Sequence, residues 1–66
     1  MVTVLALRVG SDGNSLEARC TGRDGDNGVC IEYYRDGELF RVMSHDGDTP
    51  LIKIFDSINS TFDDML

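Results

Sequence analysis

Apolar and polar residues alternate along the first two thirds of the chain and then change period. Leu16, Ala18 and Cys20 are separated by Glu17 and Arg19, and Val2 to Val9, Val29 to Tyr34 and Leu39 to Met43 are further short runs rich in β-branched or aromatic residues. A period of two marks strands, because successive side chains point to opposite faces. After residue 50 the apolar residues Leu51, Ile54, Phe55, Ile58, Phe62 and Met65 fall at i, i+3, i+4, i+7, i+11 and i+14, which is one stripe of a helix.

The strand-like runs are separated by Asp12-Gly13, Asp24-Gly25, Asp36-Gly37 and Asp46-Gly47. Such pairs favour tight turns: Gly accepts positive φ without steric cost, and Asp tolerates it while bonding its own backbone. Turns at even spacing predict a meander. The expected fold is therefore α+β, a four-stranded antiparallel β-meander with one C-terminal helix packed on one face (ββββα), in a single domain spanning 1–66.

Register can be counted outward from Asp36-Gly37 taken as a two-residue type I′ loop. Arg35 then faces Glu38, and the following pairs are Tyr34 with Leu39, Tyr33 with Phe40, Glu32 with Arg41, Ile31 with Val42 and Cys30 with Met43. This puts Ile31, Tyr33, Phe40 and Val42 on the helix-facing side, with Phe55 and Ile58 of the helix packed against them, and it puts the opposite-charge pair Glu32 and Arg41 on the other side. Cys20 points inward and Cys30 outward, which argues for free thiols. Tyr34 and Leu39 face outward, and Val2, Val4 and Ala6 of the first strand extend that face into an apolar patch suited to dimerisation or docking. Asp48 or Thr49 is expected to cap the helix and Pro50 to open its first turn, while Asp63 and Asp64 oppose the helix dipole and predict a frayed end.

Sixty-six residues, 41% of them hydrophobic, suffice for one thin core between a sheet and a helix, not for a deep pocket between lobes. No apolar run approaches the roughly 18 residues that cross a bilayer, and Met1 to Leu7 lacks the positive region of a signal peptide, so no membrane contact and a cytoplasmic location are expected. The two cysteines form no CxxC pair for zinc or redox chemistry.

The motifs of chemistry are missing or incomplete. Asp24-Gly25-Asp26-Asn27-Gly28 suggests a calcium loop but fails the EF-hand template, with Val29 where Gly is required and Arg35 where the closing Glu belongs. His45, the single histidine, is expected in a solvated loop beside Ser44 and Asp46, without a partner to make it a general base. No phosphate-binding loop, dinucleotide fingerprint, nucleophile elbow or HExxH occurs. No catalytic residues, metal or cofactor are assigned, and the chain is expected not to be an enzyme.

Charge gives the functional lead. Asp and Glu total 12 against 6 Lys and Arg, a formal net charge of −6, which disfavours direct nucleic-acid binding and favours a basic partner. Two bland readings stand beside it: acidity as a solubility device, and adaptation to high salt, against which four Ile and three Phe weigh. Turns of a meander alternate between the two ends of the sheet. Asp24, Asp26, Asp46 and Asp48 are thus expected at one end and Asp12, Asp36 and Glu38 at the other, forming two acidic rims.

In size, charge and the Asp-rich turns at Asp12, Asp24, Asp26, Asp36, Asp46 and Asp48, the chain resembles the small acidic inhibitors encoded by bacteriophages, the anti-CRISPR proteins and other DNA mimics. The resemblance is one of class and covers the whole chain without a shared motif. It implies a non-catalytic inhibitor that occludes a basic, nucleic-acid-binding surface of a protein or ribonucleoprotein complex, such as a bacterial defence effector, in the host cytoplasm. The partner-binding residues assigned on this reading are Asp24, Asp26, Asp46, Asp48, Glu32 and Tyr34. The alternative is a housekeeping interaction module or homodimer that uses the outer sheet face, with acidity serving solubility alone.

Overall fold

A computed structural model describes residues 3–23 and 28–65, so Val2, Asp24 and Asp26 lie outside the described residues. Four strands, β1 (Thr3–Val9), β2 (Ser15–Arg23), β3 (Gly28–Arg35) and β4 (Glu38–Asp46), precede one helix, α1 (Leu51–Met65). The strands form a single antiparallel sheet in the order β1-β2-β3-β4, the meander that the turn spacing predicts.

The turns form as their residues dictate. Asp36 and Gly37 both have positive φ, 52° and 86°, as a type I′ hairpin requires. In the β1–β2 connection Gly13 has φ 87°, and Asp12 accepts hydrogen bonds from the backbone and side-chain nitrogens of Asn14 at 3.1 and 2.8 Å. The short Asp side chain substitutes here for a backbone acceptor.

Register departs from simple counting at three places, one of them between Cys20 and Arg23, where β2 advances three residues against two of β3. Tyr34 pairs with Leu39 as expected, but Tyr33 then pairs with Arg41, Glu32 with Val42, Ile31 with Met43 and Cys30 with Ser44. Phe40 is the extra residue of a β-bulge, and a slip of one residue exchanges the faces of everything beyond it. Phe40 and Val42, expected in the core, are accordingly about half exposed, at 47% and 49%, and Met43 packs on the core in their place. A second bulge between Val4 and Ala6 admits Leu5. It turns Ala6, expected on the outer face, towards the core, and leaves Leu7 and Val9 exposed.

The core is Leu16 and Ala18 of β2, Ile31 and Tyr33 of β3, and Ile54, Ile58, Phe62 and Met65 of α1. Each large side chain that leaves water here contributes about 1.5–3 kcal/mol. Tyr33 and Phe62 meet edge to face, ring centres 6.1 Å apart and planes at 84°. Phe55 is only partly buried and Leu51 is exposed, so the buried stripe is centred on Ile54, Ile58 and Phe62, with Thr61 included. Thr61 keeps its hydroxyl satisfied by donating to Met43 Sδ at 3.6 Å.

Both helix ends differ from expectation. Pro50 takes the cap position instead of Asp48 or Thr49, its carbonyl accepting from the amides of Lys53 (3.0 Å) and Ile54 (3.3 Å). At the other end Arg8 of β1 bridges to Asp63 at 2.8 Å and lies 5.3 Å from the Phe62 ring centre. The cation offsets the unfavourable placement of Asp63 against the dipole, and the helix continues to a buried Met65.

Candidate functional site

The helix covers one face of the sheet, and the register sends β2 and β3 side chains alternately to the other. Glu17 faces Tyr34 and Arg19 faces Glu32 across β2 and β3. These four make one connected group. The Arg19 guanidinium pairs with Glu17 and lies 4.0 Å from the centre of the Tyr34 ring, and the Tyr34 hydroxyl donates to Glu32 at 2.9 Å. Its effect on protonation follows the bonds. The hydrogen bond to Glu32 raises the Tyr34 phenol above its ordinary value, with desolvation adding to it, and the hydrogen bond to Glu17 raises the Arg19 guanidinium. Tyr34 stays protonated and Arg19 charged at neutral pH.

Apolar side chains flank this polar centre on both sides. Val4, Leu7 and Val9 of β1 are exposed along one edge, Leu39, Phe40 and Val42 of β4 along the other. Arg41, expected beside Glu32, instead pairs with Tyr33 in register and sets its guanidinium 5.8 Å from the Phe40 ring centre. Near the hairpin a shallow cavity of about 320 Å³ is lined by Arg35, Asp36, Glu38, Leu39 and Phe40.

The predicted partner-binding residues therefore fall in two places. Glu32 and Tyr34 sit together at the middle of the outer face, while Asp46 and Asp48 are exposed at one end of the sheet, around the connection in which Thr49 N donates to Asp46 O at 3.0 Å. Gly28 pairs with Asp46 and Arg23 with Val29, so the strand ends that bound segment 24–27 adjoin Asp46. At the opposite end three carboxylates are bonded within the fold, Asp12 with Asn14, Asp36 with the Ser15 amide and Asp63 with Arg8, while Glu38 stands exposed beside them.

Arg19 is the functional candidate that the sequence reading missed; its stacking on Tyr34 follows from the diagonal neighbourhood of adjacent strands. His45 is not in a loop. It belongs to β4 opposite Val29, half-buried, and its Nε2 is buried without a hydrogen-bond partner among the described residues. Among the described residues no three or more His, Cys, Asp or Glu side chains are grouped to hold a metal ion, and no helix is long and apolar enough to cross a membrane.

No protein-family model, curated protein or solved structure matches this chain.

Proposed function

We propose that this chain is a non-catalytic acidic binding protein that engages a basic surface of a partner, in the manner of an inhibitor that occupies the nucleic-acid-binding surface of a protein or ribonucleoprotein complex. The observation that carries the reading is the unequal use of carboxylates at the two sheet ends. Asp12, Asp36 and Asp63, themselves exposed, are each bonded within the fold, whereas the exposed Asp46 and Asp48 side chains make no hydrogen bond or ion pair among the described residues and sit on a short connection tied to both β4 and α1. Carboxylates fixed on a rigid backbone meet a cationic groove with little further loss of entropy, and a net charge of −6 accelerates the encounter. A bacterial defence effector is the target class the resemblance implies, and such a target places the protein in the host cytoplasm.

Charge reversal tests this reading. Changing Asp24, Asp26, Asp46 and Asp48 to Lys moves the formal charge from −6 to +2, two units per exchange. Partners are captured on the parent chain and their affinity is compared for parent and variant at low and high salt. Loss of binding in a variant that melts like the parent, with parent binding that weakens steeply with salt, is the expected result. Equal affinity in a folded variant ends the acidic-rim reading.

The second reading, an interaction module that works through the outer sheet face, is favoured by the exposed apolar side chains along β1 and β4.

A further inference from the structure

We propose that the outer face of the sheet is filled by a second copy of this chain, giving a two-fold dimer of sheets packed face to face. This goes beyond the acidic-end reading and leaves that end free. The layout of the face suits pairing with itself. Its apolar residues run along both edges, Val4, Leu7 and Val9 on β1 and Leu39 and Val42 on β4, and its charges are gathered on β2 and β3 between them. A two-fold axis lying in the interface plane either runs along the strands, which sets β1 over the partner's β4, or across them, which sets β1 over β1 and β4 over β4. Both arrangements match apolar edge to apolar edge and polar centre to polar centre.

Charge also favours this face over the others. A chain of net charge −6 repels its own copy as a whole, so self-association needs a face from which the surplus acid is displaced. This face carries Glu17 and Glu32 against Arg19, a net −1 of the chain's −6, and both glutamates are held within their own copy, Glu17 by Arg19 and Glu32 by the Tyr34 hydroxyl. Asp12, Asp36, Asp46 and Asp48 belong to turns and sheet ends, and Asp56, Asp63 and Asp64 to the helix on the far side. Those on the helix lie behind the sheet, on the side away from the contact plane.

The area of the face is sufficient. Four strands about 4.8 Å apart and seven residues of about 3.3 Å each make roughly 440 Å² of flat face per copy. Two faces, with the relief of their side chains, come to about the 1,000 Å² at which a specific interface becomes tenable. A domain this small buries too little of its own surface to be indifferent to a second layer.

Sedimentation equilibrium of the whole chain over a range of concentrations and salt reads the proposal. The parent should show a monomer–dimer equilibrium that holds or tightens as salt rises. Leu7→Lys with Val42→Lys, both at exposed positions, should remain folded by circular dichroism and sediment as a monomer at every concentration. Charge reversal of Asp46 and Asp48 should leave the dimer intact, which separates this face from the acidic end. A parent that stays monomeric at the highest concentration reached, or a folded double-lysine variant that dimerises as the parent does, overturns the proposal.

Discussion

Ser15 and Asp36 exchange two hydrogen bonds, Asp36 N donating to Ser15 O at 2.9 Å and Ser15 N donating to Asp36 Oδ1 at 2.9 Å. One aspartate thereby shapes the β3–β4 hairpin and fastens it to the start of β2. Its two roles can be separated. Asp36→Gly keeps the positive φ and removes the side-chain acceptor, and should cost about 0.5–1.5 kcal/mol in denaturant melts. Asp36→Ala also forces a Cβ into the left-handed region and should cost roughly 1–2 kcal/mol more. If the two variants melt together, the backbone at this turn has relaxed and the clamp is the whole effect.

Phe62 carries more of the core than Phe55. Spacing alone makes them equivalent, but Phe62 is 1% exposed and set edge-on to Tyr33, whereas Phe55 lies only partly under cover. Phe62→Ala should cost about 3–5 kcal/mol, enough to unfold a domain of this size, and Phe55→Ala clearly less. The helix is docked about the wrong side chain if Phe55→Ala is the more damaging of the two in thermal melts.

What the sequence made legible, and what it hid, follows from one property of strands. Leu16, Ala18 and Cys20 alternate cleanly with charged residues, so β2 could be assigned to faces without ambiguity. In β4 the run Leu39, Phe40, Arg41, Val42, Met43 offers an apolar residue to the core in either register, and local pairing cannot choose between them. The choice rests on distant packing: Met43 reaches Thr61 of α1, which places Ile31 opposite Met43 and expels Phe40 as a bulge. Leu5 in β1 is the same case, since Leu5 and Ala6 both turn towards the core. At the candidate site Glu32 and Tyr34 were legible as i, i+2 neighbours on one face, and Arg19 was not, because its place over the ring depends on the β2–β3 register.

Neither thiol should contribute a crosslink. Cys20 lies opposite Ile31 on the helix side and Cys30 opposite Ser44 on the other, and both are free. Cβ atoms that point to opposite faces cannot approach to the roughly 3.8 Å a disulfide needs. The melting temperature should be the same with and without reductant, and a fall under reductant would mean that β2 and β3 are paired differently.

Tyr34 gives a spectroscopic test of the outer-face network. Its hydroxyl donates to Glu32, which favours the protonated phenol and raises its ionisation above the ordinary range near 10, more than the nearby Arg19 lowers it. A group whose folded value is raised contributes stability that is present below the unfolded value and lost as pH rises through the folded one, so this contribution disappears only in alkali above about 10. Titrating phenolate absorbance in the parent and subtracting Tyr34→Phe isolates the signal of this side chain. Its midpoint should lie above that of free tyrosine and fall in Glu32→Ala. An unchanged midpoint in Glu32→Ala would remove the hydrogen bond as the cause.

The bulge at Phe40 yields the sharpest test of register. Under simple pairing from the hairpin, Phe40 and Val42 fill the core and Met43 faces out, so Val42→Ala should leave a cavity and Met43→Ala should cost almost nothing. Under the observed pairing the order reverses. Val42 is about half exposed, and its replacement should stay within about 0.5 kcal/mol of the parent, apart from any effect on self-association, which dilute samples remove. Met43 packs on the core and receives the Thr61 hydroxyl, so Met43→Ala should cost about 2 kcal/mol or more. Deleting Phe40 outright goes further: it leaves Leu39 opposite Tyr34 and Arg41 opposite Tyr33 in an unbroken ladder, preserving every inward-facing residue of β4. That deletion should fold, whereas deleting Val42 shifts Met43 and His45 to the other face and should not. A folded Val42 deletion beside an unfolded Phe40 deletion would return β4 to the register counted from the turn.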